Sequence, residues 1–196
     1  MLLQKMVTDG ERRCGERGAS LLELAILLPV LVVLAFGLID LGQLIHARLV
    51  MTNVSREGGS LAARSVLSAS DLATMLQSSA TPFNLSTQGK IYIIKIKAAD
   101  NKHPLPYIDS KFATPGGYGV NSSIGGDEGQ TPTGLSTALM DHLRFEPAPQ
   151  STSDISEISI VEVFYHYTPI TPLPNFVQNM FPDNGGILIG SRAIFN

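Results

Sequence analysis

Residues 17–45 read RGASLLELAILLPVLVVLAFGLIDLGQLI. No residue between Leu24 and Ile39 is charged, and from Ala19 to Ile45 the apolar run has Glu23 and Asp40 as its ionisable interruptions. About 20 helical residues, each rising 1.5 Å, cross a hydrocarbon core, so this stretch is long enough to span a membrane. A carboxylate in that setting costs several kcal/mol unless it is paired or used, and Glu23 therefore needs a reason. Pro29 removes one backbone hydrogen bond and predicts a kink. Gly37 and Gly42 permit close helix approach, which bilayer helices exploit.

The flanks orient the span. Lys5, Arg12, Arg13 and Arg17 precede it, which places residues 1–18 in the cytoplasm by the positive-inside rule, although Arg48, Arg56 and Arg64 follow it and weaken the asymmetry. No small-x-small cleavage site closes the apolar run, so a retained anchor over 19–43 is expected rather than a cleaved secretory signal. Beyond Asp40, apolar residues recur at Leu41, Leu44, Ile45, Leu49, Val54, Leu61 and Ala62 among Gln43, His46, Arg48, Asn53, Arg56 and Glu57. That spacing is helical and amphipathic. One helix from about Ala19 to Val66 follows, its segment 44–66 offering an apolar stripe to a domain or partner. The paired glycines in EGGS, residues 57–60, predict an interruption.

Residues 67–196 read as an extracytoplasmic α+β domain. GKIYIIKIKAAD alternates Ile94, Ile96 and Ala98 with Lys95 and Lys97, the pattern of a half-buried strand. EISIVEVFYHYTPI sets Val161, Val163, Tyr165 and Tyr167 against Glu162, Phe164 and His166. GILIGSRAIF forms a third strand after the turn residues PDNGG. Three strands with one apolar face need a cover, and the amphipathic helix supplies it. Short helices are expected over Asp71–Ser78, capped by Ser70, and over Gly134–Leu143. The Gly/Ser/Pro-rich tract 114–134 reads as a long mobile loop. The fold class is thus α+β: a long N-terminal helix, transmembrane in its first half, packed on a small antiparallel sheet.

Composition excludes several functions. The net charge is −3 with no basic stripe, so no nucleic acid is expected as a partner. Cys14 is the single cysteine, which rules out an intramolecular disulfide and a cysteine-rich zinc site; its neighbours Arg13, Glu16 and Arg17 are unlike those of a lipid-modified cysteine. His46, His103, His142 and His166 lack metal-ligand spacing. Asp127 and Glu128 in the 114–134 loop fall short of the six or more ordered oxygens calcium requires. The glycines of that loop carry no Gly-Lys-Ser/Thr ending, and no serine sits in a Gly-x-Ser-x-Gly elbow. No catalytic residue, metal or cofactor is expected, and the chain reads as a non-enzyme.

The N-terminal segment resembles the TadE-like pseudopilins of bacterial tight-adherence (Flp) pilus systems. The resemblance rests on a basic leader ending in Gly18, Glu23 five residues later, the Leu28-Pro29 pair, Asp40 and Gly42, and the tract Arg56, Glu57, Gly58. Ser60 stands where such proteins usually carry arginine, and Arg64 comes a few residues late. The closing strands VEVFYHYTPITPL and GILIGSRAIF are similar to the paired last strands of the family. The resemblance implies a prepilin-type leader, 1–18, cut between Gly18 and Ala19 by a membrane aspartyl prepilin peptidase. It also implies other pilins or pseudopilins as partners of the N-terminal helix, an inner-membrane pilus assembly platform, and the lipid bilayer. Independently of the family, a cut there creates a charged amine at Ala19 about 6 Å along the axis from Glu23. Two groups each costly in low dielectric would neutralise one another, within a chain or between chains, which makes Glu23 a device for subunit registration. The alternative is a single-span anchored periplasmic domain that binds a ligand or cell-envelope partner, which gives Gly18 and Glu23 no role.

Overall fold

The computed structural model describes residues 2–64, 67–100, 102–144, 155–171 and 186–196, with side chains described from Leu21 onward. One helix, α1 (Leu2–Ala63), carries the whole N-terminal segment. It starts before the expected Ala19 and runs through Pro29 and through Gly58-Gly59, where a break was expected. The reason for continuity at the glycines is packing: a Cβ on Gly58 would lie 2.6 Å from Leu76 Cδ1 and 3.1 Å from Val161 Cγ1, and one on Gly59 would lie 2.5 Å from the Phe195 ring. Close approach to the domain more than offsets the roughly 1 kcal/mol each glycine costs a helix. The expected end near Val66 falls on residues outside those described.

Two short helices follow, α2 (Ala69–Ser79) and α3 (Leu85–Gln88). Ser68, not Ser70, caps α2, its hydroxyl accepting from the Asp71 N–H. Asn84 caps α3, which the sequence pattern did not indicate. Then come β1 (Gly89–Lys97), β2 (Tyr107–Ala113), α4 (Thr137–His142), β3 (Glu157–Tyr167) and β4 (Ile187–Phe195). The sheet is antiparallel throughout in the order β2-β1-β3-β4, so β2 is a fourth strand and lies on an edge. Ser136 caps α4, and Gly134 lies outside that helix. The expected turn at residues 182–186 lies almost wholly outside the described residues.

The sheet is covered on both faces, which corrects the expectation of one apolar face. On one face Ile91, Ile93, Val161, Val163, Tyr165 and Tyr167 pack against Ala47, Met51, Val54 and Ala62 of α1 and Leu72, Ala73 and Leu76 of α2. On the other, Tyr92, Ile94, Ile96, Ile158 and Ile160 pack against Ile108, Ile124 and Leu143. Each fully buried aliphatic side chain contributes roughly 1.5–3 kcal/mol. Ile124 belongs to the 114–134 loop, so that loop is a packed third layer. Its glycines 116, 117, 125, 126 and 129 take positive φ, which lets irregular backbone follow the sheet.

Candidate functional site

The candidate functional residues are strung along α1. From Leu21 to Ile39 its large apolar side chains other than the half-buried Phe36 are exposed: Leu22 is 66%, Ile26 66% and Leu38 70% accessible. Among the described residues this is the one helix long and apolar enough to cross a membrane. Glu23 projects from the same exposed stretch and forms no ion pair among the described residues. Gly18 and Ala19 lie on α1, in the part whose side chains are not described. A Cβ on Gly37 or Gly42 would meet nothing within 4 Å, so both glycines leave open helix surface.

At Asp40 the surroundings change. Its side chain is buried, and its Oδ1 accepts from the backbone N–H groups of Ile170 at 3.1 Å and Thr171 at 3.2 Å, while Oδ2 accepts from the Thr171 hydroxyl. The Tyr167 hydroxyl donates to the Asp40 carbonyl at 3.1 Å. Burial first, and then the Asp40 carboxylate and Tyr165, push the Tyr167 hydroxyl pKa up, so it stays a donor. One carboxylate thus ties the end of the apolar span to the segment following β3. Sequence reasoning found Asp40 but not this use of it.

Further along α1 the domain is held by contacts of several kinds. The His46 ring meets Phe83 edge-on at 5.3 Å, and Phe83 meets Tyr165 in the same way at 5.4 Å. Ser55 Oγ and Ser191 Oγ share a hydrogen bond of 2.8 Å across the α1–β4 contact. Of the tract Arg56, Glu57, Gly58, the glycine is buried against the domain and the two charged residues face outward with no ion pair among the described residues. The tract therefore divides by face: Gly58 serves packing, and Arg56 and Glu57 are left to water or a partner.

A second polar centre sits on the opposite face of the sheet. Glu162 is 1% exposed and takes the Arg192 Nε at 3.0 Å, the Ser123 N–H at 3.2 Å and the hydroxyls of Ser122 and Ser123. Arg192 also donates to the Gly134 carbonyl at 3.3 Å. Tyr92 adds a hydroxyl bond to the Val120 carbonyl at 2.7 Å. These bonds pin the 114–134 loop to β1, β3 and β4. The sequence signal for them was the acid inside an apolar strand at Glu162, opposite an arginine in the last strand.

Asp127 and Glu128 are both engaged with β2: Lys111 Nζ lies 3.8 Å from Asp127, and the Lys111 N–H donates to Glu128 at 3.0 Å. No group of three or more potential metal ligands occurs among the described residues. His166 stacks on Tyr118 at 4.4 Å, and His103 lies 3.2 Å from Asp100. The chemistry this arrangement supports is adhesion of helix to lipid, of helix to helix, and of helix to domain.

No curated protein and no solved structure matches the chain. Residues 18–60 match the family model described as TadE-like protein, so the segment carrying Glu23, Pro29, Asp40, Gly42 and the Arg56–Gly58 tract is similar to that of TadE-like proteins.

Proposed function

We propose that this protein is a pseudopilin, a minor pilin-like subunit needed for assembly of a tight-adherence (Flp) type IV pilus. It is held in the bacterial inner membrane by α1, with its N-terminus cytoplasmic and residues 67–196 periplasmic. The observation that carries this reading is the extent of the family match. It takes in the amphipathic extension to residue 60 as well as the apolar span, whereas an unrelated single-span anchor would share only hydrophobicity.

In this role a prepilin peptidase cuts after Gly18, and the new amine of Ala19 faces Glu23 one helical turn away. The exposed apolar surface of α1 then packs laterally against the helices of other pilins or pseudopilins, with Gly37 and Gly42 admitting close approach and Pro29 allowing the helix to bend. Arg56 and Glu57 remain for partners above the membrane, including the assembly platform. The role is structural, not catalytic.

Mass spectrometry of the native protein tests it. Cells containing the peptidase should yield a chain beginning at Ala19, and the same spectrum reads any N-terminal methylation. An intact leader in those cells would overturn the proposal. Glu23→Ala should abolish assembly while leaving the protein in the membrane, and normal surface fibres from that variant would remove its part in registration.

A further inference from the structure

Glu23 and Arg48 lie about 38 Å apart along α1 at 1.5 Å per residue. A bilayer has a hydrocarbon core about 30 Å thick and measures about 40–45 Å with its headgroups. With Glu23 at one boundary of the core, Asp40 stands about 26 Å along the axis, still at hydrocarbon depth. Leu41 and Ile45 then reach the far boundary, and Arg48 reaches the phosphates.

The folded domain comes down to the same level, because the Asp40 carboxylate is capped by Ile170 and Thr171. Around that cap, apolar side chains from three elements are uncovered: Leu41 is 52%, Ile45 52%, Ile170 69% and Leu188 40% exposed. A groove of about 250 Å³ opens beside them between α1 and β4, lined by Leu44, Ile45 and residues 187–190, and Arg48 is the charged member of its lining. A rim of this kind is continuous with the lipid-facing surface of α1 and ends in a cation, the order in which a leaflet presents acyl chain and then phosphate.

We infer that the domain is seated in the leaflet on its own side of the membrane rather than held above it on the helix. Leu41, Ile45, Ile170 and Leu188 enter the acyl boundary, and the Arg48 guanidinium meets lipid phosphate. The donors on Asp40 follow from this placement, since a carboxylate at hydrocarbon depth must be satisfied by protein. The inference rests on α1 spanning the membrane, and its test separates the two.

The chain contains no tryptophan, so single substitutions report cleanly. Full-length Ile170→Trp, Leu188→Trp, Val33→Trp and Leu105→Trp proteins are reconstituted in phosphatidylcholine–phosphatidylglycerol vesicles whose acyl chains carry bromine near the headgroup or near the methyl end. Val33 lies mid-span, and Leu105 lies in the β1–β2 connection at the far end of the sheet. Val33→Trp should be quenched by deep bromine and Leu105→Trp by neither. Ile170→Trp and Leu188→Trp should shift to the blue and lose fluorescence chiefly to shallow bromine. If both emit like Leu105→Trp while Val33→Trp is quenched, the domain stands clear of the bilayer and the inference fails with the span intact. If Val33→Trp is also unquenched, the span itself fails. A blue shift at 170 and 188 without quenching would mean that protein, not lipid, covers the rim, which equally overturns the inference.

Discussion

Asp40 and Glu23 are both acids in apolar sequence, and the chain treats them in opposite ways. Glu23 is exposed without an ion pair among the described residues, whereas Asp40 has three donors and a tyrosine hydroxyl on its carbonyl. Asp40→Ala strands the Ile170 and Thr171 amides and should cost about 1–3 kcal/mol, while Asp40→Asn keeps one acceptor oxygen and should cost less. Thermal unfolding of the detergent-solubilised chain reads the difference, and an unchanged midpoint for Asp40→Ala would show that the cap contributes nothing. The spacing of Gly18 and Glu23 is local and was legible in the sequence. The Asp40 cap was not, because its donors lie 130 and 131 residues further along the chain. A local pattern can flag an acid as costly but cannot name a distant partner.

Among the elements, α1 shows how packing overrides intrinsic preference. Glycine pairs disfavour helix, so the sequence pattern predicts a break at Gly58-Gly59, yet both positions are where side chains of the domain press closest on the helix. Gly58→Ala drives a methyl into Leu76, which is fully buried and has nowhere to swing. Overpacking of about 1–3 kcal/mol should exceed the roughly 1 kcal/mol gained in helix propensity. Gly59→Ala meets the ring of Phe195, which is only half-buried and can turn aside, so it should be neutral or slightly stabilising. Chemical unfolding of the two variants tests this ranking, and a Gly58→Ala protein as stable as Gly59→Ala would refute it. β1 and β3 were legible because residues of different character alternate along them, and β4 because turn residues precede it. β2, YIDSKFA, was not: the polar run Asp109, Ser110, Lys111 breaks any alternation, and its place at the sheet edge comes from pairing with β1.

In the whole molecule three layers stack, and the least ordered-looking sequence forms one of them. The 114–134 tract is rich in the residues that signal a free loop, and only Ile124 and the serines that reach Glu162 reveal a cover for the sheet. Glu162→Ala should leave Arg192 and the Ser123 amide without their acceptor and lower stability by about 2–3 kcal/mol, Arg192 being partly open to solvent. Limited proteolysis should then cut within 114–134 well before the sheet unfolds; a loop as resistant as in the parent protein would show that the apolar contacts suffice. Some of the longest-range contacts join α1 to β4, as at Ser55 and Ser191, which are 136 residues apart. During synthesis the apolar stripe of Ala47, Met51 and Val54 is therefore made early and covered late. Contacts of such separation slow folding, and a stripe left open meanwhile is a site for chaperones or misassociation. The helix is made before the sheet that covers it, and β4 closes the domain upon it.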